Sequence, residues 1–305
     1  MADRRREEIQ QLIKPLLVKP GDTVGLPHDF DPGYSAPGLD KDDGDEVLRA
    51  GIELLAEYQT RLAAQNTYSV LLVLQAMDAA GKDGTIKHVM SGVNPQGVTV
   101  RSFKQPSPQE LDHDFLWRYQ RALPRRGDIG IFNRSHYEET LVVRVHPELL
   151  EHQQLPEAAR GHDVWKRRFR EVNDWEKYLV DNGIRVVKVF LNVSKEEQRQ
   201  RFLARIEEPD KNWKFSAADV AEREHWDDYQ QAFSEVLTHT SSEAAPWYVV
   251  PADKKWFARI ATAAILIDTL MDIDPKFPEL DDAQRQQLQD SRAALEAQAP
   301  KDEKH

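Results

Sequence analysis

Residues 70–85 read VLLVLQAMDAAGKDGT, and this stretch decides the fold. The apolar run Val70–Leu74 has no polar alternation, which is typical of a central strand covered on both faces. Small residues in the following turn let backbone N–H groups approach an anion closely. These residues are Ala79, Ala80, Gly81 and Gly84. The sequence therefore predicts a strand that runs directly into a phosphate-binding turn.

Lys82 begins the helix predicted after this turn, where its ammonium group and the helix dipole both favour a phosphoryl group. Against the pattern G-x-x-x-x-G-K-[ST], Ala76 replaces the first glycine and Asp83 replaces the hydroxyl residue that binds Mg²⁺. Such a loop must hold Mg²⁺ in another way, and it carries carboxylates at Asp78 and Asp83. The alternative is an ordinary glycine-containing turn with a solvated lysine. The order of strand, turn, Gly-Lys and helix favours phosphate binding.

Composition narrows the class of protein. The chain has 305 residues, of which 40% are hydrophobic and 30% charged, as in globular proteins with a substantial core. It contains no cysteine, which excludes disulfides, thiolate catalysis and cysteine-zinc sites. We find no apolar stretch long enough for a membrane span and no signal-peptide core, so we expect a cytoplasmic protein without a membrane partner. The net charge of −11 disfavours nucleic acid as a partner, and a polyanionic substrate would need a local basic channel.

Strand and helix patterns alternate along the chain and favour an α/β fold with one doubly wound parallel sheet. Further strands are expected at residues 98–103, 127–132, 184–191 and 247–250. Ser216 is expected to cap one long polar helix that continues to about residue 239. We divide the chain into an N-terminal helix and extended arm (1–45), a main domain (46–275) and a polar tail (276–305). A charged helical segment at about 201–229 is predicted to form a lid over the carboxyl edge of the sheet.

A second polar stretch, IGIFNRSHYEE at residues 129–139, ends the strand predicted beside the phosphate-binding turn. Asn133 stands where such folds usually place a metal-binding aspartate. Arg134 would stabilise charge on the phosphoryl group there, unless Asn133-Arg134-Ser135 is only a helix cap with a surface arginine. Arg144 lies within an apolar run, so we expect it to be paired, either in a buried ion pair or with a phosphate.

Glu138 follows Arg134 by one helical turn and should face the same cleft. A carboxylate beside bound phosphates is unfavourable unless it carries a cation or a hydrogen-bond donor. We therefore expect Glu138 to hold a hydrated Mg²⁺ or the lid arginines near the terminal phosphate of an acceptor. The alternative is a surface glutamate that is paired with Arg144 or with a nearby lysine.

Several motifs in order resemble the polyphosphate kinase 2 family, from about Glu46 to Met271: AMDAAGKDGT, GVNPQGV, IFNRSHYEE with LVVRV, WKF, and APWYVVPADKKW. The Tyr-Glu pair after Arg-Ser-His resembles class III of this family, since class I has Tyr-Asn. The resemblance implies a P-loop kinase-like three-layer fold with a doubly wound parallel sheet and a helical lid. It also implies Mg²⁺-dependent phosphoryl transfer, with Mn²⁺ as a substitute metal, between inorganic polyphosphate and nucleotides. The products would be ATP or GTP from ADP or GDP, and ADP from AMP.

The same resemblance assigns roles to individual residues. Asp78 would anchor the metal, Lys82 and Arg134 would hold the reacting phosphates, and Arg144 and Glu138 would face the same centre. Contacts to phosphate and polyphosphate would come from the loop and the lid, through Ala79, Ala80, Gly81, Lys82, Asp83, Gly84, Arg201, Arg205 and Lys214. The acceptor nucleotide would contact Asn94, Phe103, Lys104, Tyr137 and Glu138.

Two other classes of function use the same loop. An ATP-dependent nucleotide or small-metabolite kinase is the first, and the missing Ser/Thr after Lys82 argues against it. A non-enzymatic P-loop nucleotide-binding module is the second, and the chain has no N-K-x-D motif for reading a base. We also expect a homo-oligomer, a dimer or a tetramer, because extended arms such as residues 1–45 often bridge subunits.

Overall fold

The computed structural model describes residues 2–161 and 163–298. The strands of this described part are β1 (Leu17–Val18), β2 (Ser69–Ala76), β3 (Val98–Ser102), β4 (Ile129–Asn133), β5 (Ile184–Asn192) and β6 (Trp247–Pro251). Its α-helices are α1 (Ala2–Ile13), α2 (Lys41–Gln65), α3 (Lys82–Val89), α4 (Pro108–Leu111), α5 (Trp117–Gln120), α6 (Val142–Val145), α7 (Val164–Asp181), α8 (Lys195–Glu207), α9 (Ala217–Glu222), α10 (Trp226–Thr240), α11 (Lys255–Ile273) and α12 (Asp282–Glu296). Short 3₁₀ helices span Lys14–Leu16, Pro95–Gly97, His136–Thr140, Pro147–Gln153, Glu157–Ala159, Asn212–Lys214 and Arg223–His225.

One six-stranded sheet in the order β1-β6-β5-β2-β4-β3 organises the molecule. The strands from β6 to β3 pair in parallel, and only the two-residue β1 is antiparallel, against β6. All eight residues of β2 are buried, which confirms the central strand predicted from its unbroken apolar run. Leu72 at its middle lies opposite Ile131 of β4 and Val187 of β5. The predicted α/β fold with a mostly parallel sheet is thus present.

Helices cover the sheet and complete its core. On one side α11 packs against α2, α1 and α3, and it is buried along most of its length because its sequence is apolar nearly all round. A second group consists of α7, which packs on β5, and α10, which packs on α7. Within the described residues, no helix has both the length and the apolarity that crossing a membrane requires.

Two regions differ from the expectation. The arm within residues 1–45 contributes the edge strand β1, which periodicity could not reveal in two residues. The long helix predicted from Ser216 to residue 239 is wrong, since Ser216 caps only the six-residue α9 and a 3₁₀ turn separates α9 from α10. The apolar positions that bind a helix to the core begin only at Trp226, where α10 starts. The polar segment before it lies apart from the core.

Candidate active site

The turn between β2 and α3 forms a P-loop, residues 76–84. Ala79 and Gly81 adopt positive φ angles of 60° and 110°, which lets the chain reverse tightly before the helix begins. Lys82 is the first residue of α3, and its Nζ donates to the carbonyl oxygen of Ala76 at 2.9 Å. Burial and the neighbouring Arg134 lower the pKa of Lys82 to about 8. The loop thus presents a helix N-terminus together with a partly desolvated lysine.

Arg134 reaches this loop from the neighbouring strand. Because β2 and β4 are parallel, their carboxyl ends meet at one edge of the sheet, with Asn133 opposite Leu74. The guanidinium of Arg134 lies 2.6 Å from Oδ1 of Asp78 and 3.1 Å from Oε2 of Glu138. The charge of Glu138 is the main cause that raises the pKa of Arg134 above its usual value. Two carboxylates therefore hold this cation at the mouth of the P-loop.

Asn133 has a structural role at the end of β4, the position where P-loop folds usually carry a metal-binding aspartate. Its Nδ2 donates to Oδ1 of Asp83 at 2.8 Å, which joins the end of β4 to the first turn of α3. This contact links two of the unusual residues of this P-loop, Asp83 and Asn133, since each is the partner of the other. Asp83 remains exposed at the rim of the loop.

Two cavities meet at Arg134. The first, which we call the P-loop cavity, has a volume of about 380 Å³ and is bordered by Asp78, Ala79, Gly81, Lys82, Asp83, Gly84, Ser102, Phe103, Lys104, Asn133, Arg134 and Arg205. The second, which we call the apolar cavity, has a volume of about 880 Å³ and continues past Arg134 and Glu138. Its walls are mainly apolar, including Phe103, Leu111, Tyr119, Val142, Val143 and Leu149. Most of the predicted site residues thus lie around one cleft.

The predicted lid segment places charged side chains over this cleft. Arg205 of α8 borders the P-loop cavity and lies 3.6 Å from Oδ2 of Asp219 on α9. Asp219 and Glu222 of α9 line a small cavity together with Asp78 and Arg134. Burial and the nearby charge of Asp78 raise the pKa of Asp219. Asp219 and Glu222 were not among the predicted site residues, and their position within the charged lid segment was the only signal in the sequence that could have indicated them.

Arg201 does not face the cleft, and its prediction as a polyphosphate contact is wrong in this structure. The side chain is only 8% exposed. Its guanidinium donates to the backbone carbonyl oxygens of Ala79, Ala80 and Ala252. Arg205, one turn further along α8, occupies the cleft instead. The side chain of Lys214, predicted for the same role, lies outside the described part of the structure.

Tyr137 is likewise not available to a nucleotide, which corrects its assignment. Its ring is fully buried, and its hydroxyl donates to Glu176 at 2.8 Å and lies 3.0 Å from Nζ of Lys188. Glu176 also contacts Lys188 at 2.5 Å and His136 at 3.1 Å. Burial opposes ionisation of Glu176, but the Lys188 charge and the hydrogen bond with His136 outweigh it and lower the pKa of Glu176. His136 is therefore a core residue.

Two further assignments lie away from the cleft. Arg144 lies 2.5 Å from Oε1 of Glu235 on α10, so the ion-pair alternative describes it better than a phosphate contact. Asn94 precedes β3, at the amino edge of the parallel strands, whereas the P-loop follows the carboxyl end of β2. Its side chain accepts a hydrogen bond from the N–H of Gln96 and caps a 3₁₀ helix. In the structure, Arg144 and Asn94 thus lie away from the P-loop cavity.

The carboxylates at the cleft are few and dispersed. Among the described residues, no group of three or more His, Cys, Asp or Glu side chains is arranged to hold a metal ion. Asp78 is the carboxylate that borders both the P-loop cavity and the space beneath α9. A magnesium ion commonly takes one or two protein carboxylates and completes its shell with phosphate oxygens and water. The donor set fits a metal that arrives with a phosphate ligand.

Comparison with known proteins places this geometry in a family. The family model described as Polyphosphate kinase 2 matches residues 38–278. An ADP-polyphosphate phosphotransferase of Rhodopseudomonas palustris is 50% identical over 286 residues, covering 92% of this chain and 98% of the relative. An AMP/ADP-polyphosphate phosphotransferase of Meiothermus ruber is 45% identical over 234 residues, covering 77% and 84%. The crystal structure of a polyphosphate kinase 2 from Arthrobacter aurescens TC1 superposes with a TM-score of 0.80 at 41% identity, covering 89% of this chain and 94% of that one. The chain therefore belongs to the polyphosphate kinase 2 family.

Proposed function

We propose that this protein transfers a phosphoryl group from inorganic polyphosphate to a nucleotide, making ATP from ADP, GTP from GDP, and ADP from AMP. The observation that carries this proposal is the position of Arg134, which borders both the cationic P-loop cavity and the apolar cavity. A donor phosphate and an acceptor phosphate can therefore meet at one guanidinium. The printed names of the Rhodopseudomonas and Meiothermus relatives support the same reaction.

The P-loop cavity suits the polyphosphate donor. Lys82, Lys104 and Arg205 border it, and the N-terminus of α3 adds backbone N–H groups. A chain with a net charge of −11 repels a polyanion at long range, so these local cations must supply the attraction. We assign the terminal phosphates of polyphosphate to this cavity.

The apolar cavity suits the acceptor nucleotide. Phe103 gives it an aromatic edge, while Tyr119 lies buried behind this wall. The Arg118 guanidinium lies over both rings, at 5.2 and 5.5 Å from their centres. Such walls bind a flat base and a ribose while a few polar groups fix orientation. The terminal phosphate of the acceptor would then lie toward Arg134 and Glu138.

The reaction needs positioning and neutralisation of charge. An oxygen of the acceptor's terminal phosphate attacks the terminal phosphorus of polyphosphate, and the bond from that phosphorus to its bridging oxygen breaks. The polyphosphate leaves one unit shorter, with the electron pair on the former bridging oxygen. Lys82 and Arg134 would stabilise the charge that develops on the transferred group. Asp78 would hold Mg²⁺, or Mn²⁺ in its place, and the metal would neutralise the phosphate oxygens.

A direct assay tests the proposal. The purified protein is incubated with polyphosphate, Mg²⁺ and each nucleoside mono- or diphosphate, and the products are separated by chromatography. We expect ATP from ADP with polyphosphate as the sole donor, and loss of product when EDTA is added. A requirement for ATP as donor would support an ordinary kinase instead. Nucleotide binding without turnover would support a binding module.

Use of both AMP and ADP depends, we propose, on Glu138. Glu138 borders the apolar cavity and holds Arg134, so its charge lies where the shorter acceptor would leave a gap. The Glu138→Asn variant should change the ratio of the kcat/KM values for AMP and ADP. Equal loss for both acceptors would sink this assignment.

We also propose that the protein is a homo-oligomer, a dimer or a tetramer. Leu288 and Leu295 of α12 are 58% and 67% exposed, and every residue of this helix is exposed in the single chain. A solitary helix of this length is marginal in water without packing, which favours a partner surface. Light scattering of the purified protein measures the assembly directly, and a mass of one chain would contradict the proposal.

A further inference from the structure

We infer that α8 acts as a clamp on the P-loop, with Gln198 and Arg201 as positioning residues that hold three successive carbonyl groups. This inference rests on the proposed function for its kinetic part. Neither residue borders the P-loop cavity, although Gln198 lines the small cavity beneath α9 together with Asp78 and Arg134. Both residues are argued to act through the loop and are therefore positioning residues.

Arg201 holds the second half of the clamp. Its Nη1 lies 3.0 Å from the carbonyl oxygen of Ala79 and 2.7 Å from that of Ala80. Its Nη2 donates to the carbonyl oxygen of Ala252 at 2.6 Å, and its Nε donates to Glu197 at 2.7 Å. The guanidinium thus joins the P-loop to the segment after β6, and its donors are engaged by protein acceptors.

Gln198 holds the first half. Its Nε2 donates to the carbonyl oxygen of Asp78 at 2.9 Å, and the side chain is buried. The other end of its amide accepts a hydrogen bond from Arg223 at 2.5 Å. Arg223 lies in the 3₁₀ turn after α9, so the same amide connects the P-loop with the lid.

The clamp determines where the P-loop amides point. In a trans peptide the C=O and N–H groups point in opposite directions. Holding the carbonyls of Asp78 and Ala80 against α8 therefore turns the N–H groups of Ala79 and Gly81 away from it. Ala79 and Gly81 both border the P-loop cavity. Donors that are fixed before the reaction stabilise a developing negative charge without reorganisation.

This role differs measurably from binding polyphosphate. A residue that contacts the donor chain mainly changes KM, and more strongly for long chains. A residue that orients the loop changes kcat, and it does so equally for every chain length. Lysine at position 201 keeps the charge but presents a single ammonium group, which cannot reproduce the planar fork that spans two segments.

The kinetic test uses Arg201→Lys and Gln198→Met. Arg199→Lys is the matched control, because Arg199 lies on the same helix, is exposed, and pairs with Glu196 alone among the described residues. We expect kcat to fall about tenfold or more in the two clamp variants, since small misplacement of a reacting group has effects of that size. KM for short and for long polyphosphate should stay within about twofold of wild type. Arg199→Lys should match wild type.

A second measurement does not depend on turnover. Hydrogen exchange of the ligand-free protein, followed by mass spectrometry, reports on the peptide that contains residues 77–84. We expect faster exchange of this peptide in both clamp variants, with unchanged exchange in β2 and in α7. If wild type shows no polyphosphate turnover, the proposed function fails, and the exchange comparison alone decides the clamp.

Three results would overturn the inference. A KM that rises with polyphosphate length while kcat is retained would make Arg201 a polyphosphate contact. Wild-type exchange and kinetics in both variants would leave α8 without a role in the loop. Faster exchange throughout the protein, with a loss of folded material, would mean that both residues only stabilise the fold as a whole.

Discussion

Lys82 at the start of α3 and Lys188 within β5 are two desolvated lysines whose surroundings differ. Lys188 has no solvent exposure, and its Nζ contacts Glu176, the hydroxyl of Tyr137 and the carbonyl oxygen of Thr240. Lys82 donates to one backbone carbonyl, that of Ala76, and has the cationic Arg134 beside it. The charges of Asp78, Glu138 and Asp83 also act on Lys82, but none of these carboxylates forms a direct ion pair with it. The charge of Lys188 is paired within the core, whereas the charge of Lys82 can still pair with a bound anion.

This difference separates a structural charge from a binding charge. A buried ion pair needs its partner, because an unpaired charge in a low-dielectric interior is costly. A binding site keeps a cation incompletely neutralised, and the ligand supplies the missing negative charge. Burial lowers the pKa of both lysines, so the difference between them lies in their contacts and not in the direction of the shift. Removing each lysine in turn should therefore give opposite results.

Lys82→Met should show the largest effect on activity. We expect kcat/KM for polyphosphate to fall by about a thousandfold or more, because a charge aimed at the transferred phosphoryl group is lost. At neutral pH, the same substitution should leave the folded state as stable as wild type or more stable. The folded pKa of about 8 lies below the unfolded value, so the charged lysine destabilises the fold fully below pH 8, and this cost disappears as pH rises toward 10.5.

Thermal melts at pH 7 and pH 10 test the stability part. At pH 7 the Lys82→Met variant should melt at or above the wild-type temperature, and this advantage should shrink at pH 10. A variant that melts far below wild type at pH 7 would place Lys82 among the structural charges.

Lys188→Met should have the opposite effects, a large loss of stability and little loss of activity. Its removal leaves Glu176 buried without its cation, which costs about 3–5 kcal/mol in the free energy of unfolding. The kcat of the fraction that stays folded should remain near that of wild type. Denaturant unfolding gives the first quantity, and active-site titration combined with initial rates gives the second. A stable but inactive variant would contradict the distinction between the two lysines.

The pH profile should show a smaller effect of the same unmatched charge. Lys82 in the free enzyme loses its proton above pH 8, so kcat/KM for polyphosphate should fall by up to about tenfold per pH unit there. Bound phosphate favours the charged lysine, so kcat should hold to higher pH than kcat/KM. The residual activity of Lys82→Met should lack this inflection. An inflection near pH 8 that persists in the variant would assign it to another group.

Arg144→Gln should have the smallest effect. The substitution removes a partly exposed ion pair with Glu235 and should cost about 1 kcal/mol or less in unfolding free energy. Turnover should stay at the wild-type level. A large loss of turnover would return Arg144 to the phosphate site that the family resemblance implied for it.

The predictable part of the site is the part that backbone topology determines. The unbroken apolar run of β2 and the small residues after it predict the P-loop, and the parallel neighbour β4 brings Arg134 to the same edge. Glu138 follows from Arg134 by one helical turn. These inferences need only the order of elements and the rule that parallel strands end together.

The errors arise where the direction of a side chain depends on packing. Arg201 and Arg205 lie four residues apart on α8, so periodicity places them on one face, yet only the packing of α8 against the P-loop decides that the first is buried. Tyr137 stands next to Glu138, but a 3₁₀ turn points it into the core toward Lys188. Asn94 belongs to a recognisable motif at the opposite edge of the sheet. In each case a residue of suitable chemistry had an unexpected partner within the fold.

The position of Arg134 between two cavities bears on the direction in which the proposed reaction runs. Because Arg134 borders the P-loop cavity and the apolar cavity alike, which we propose to hold donor and acceptor, the proposed transition state is the same whichever side supplies the phosphate. Such a catalyst speeds the forward and reverse reactions by the same factor and leaves the equilibrium where mass action places it. The ratio of ATP to ADP and the supply of polyphosphate would then decide whether phosphoryl groups pass from polyphosphate to ADP or from ATP to polyphosphate. The protein would work as a buffer of phosphoryl potential.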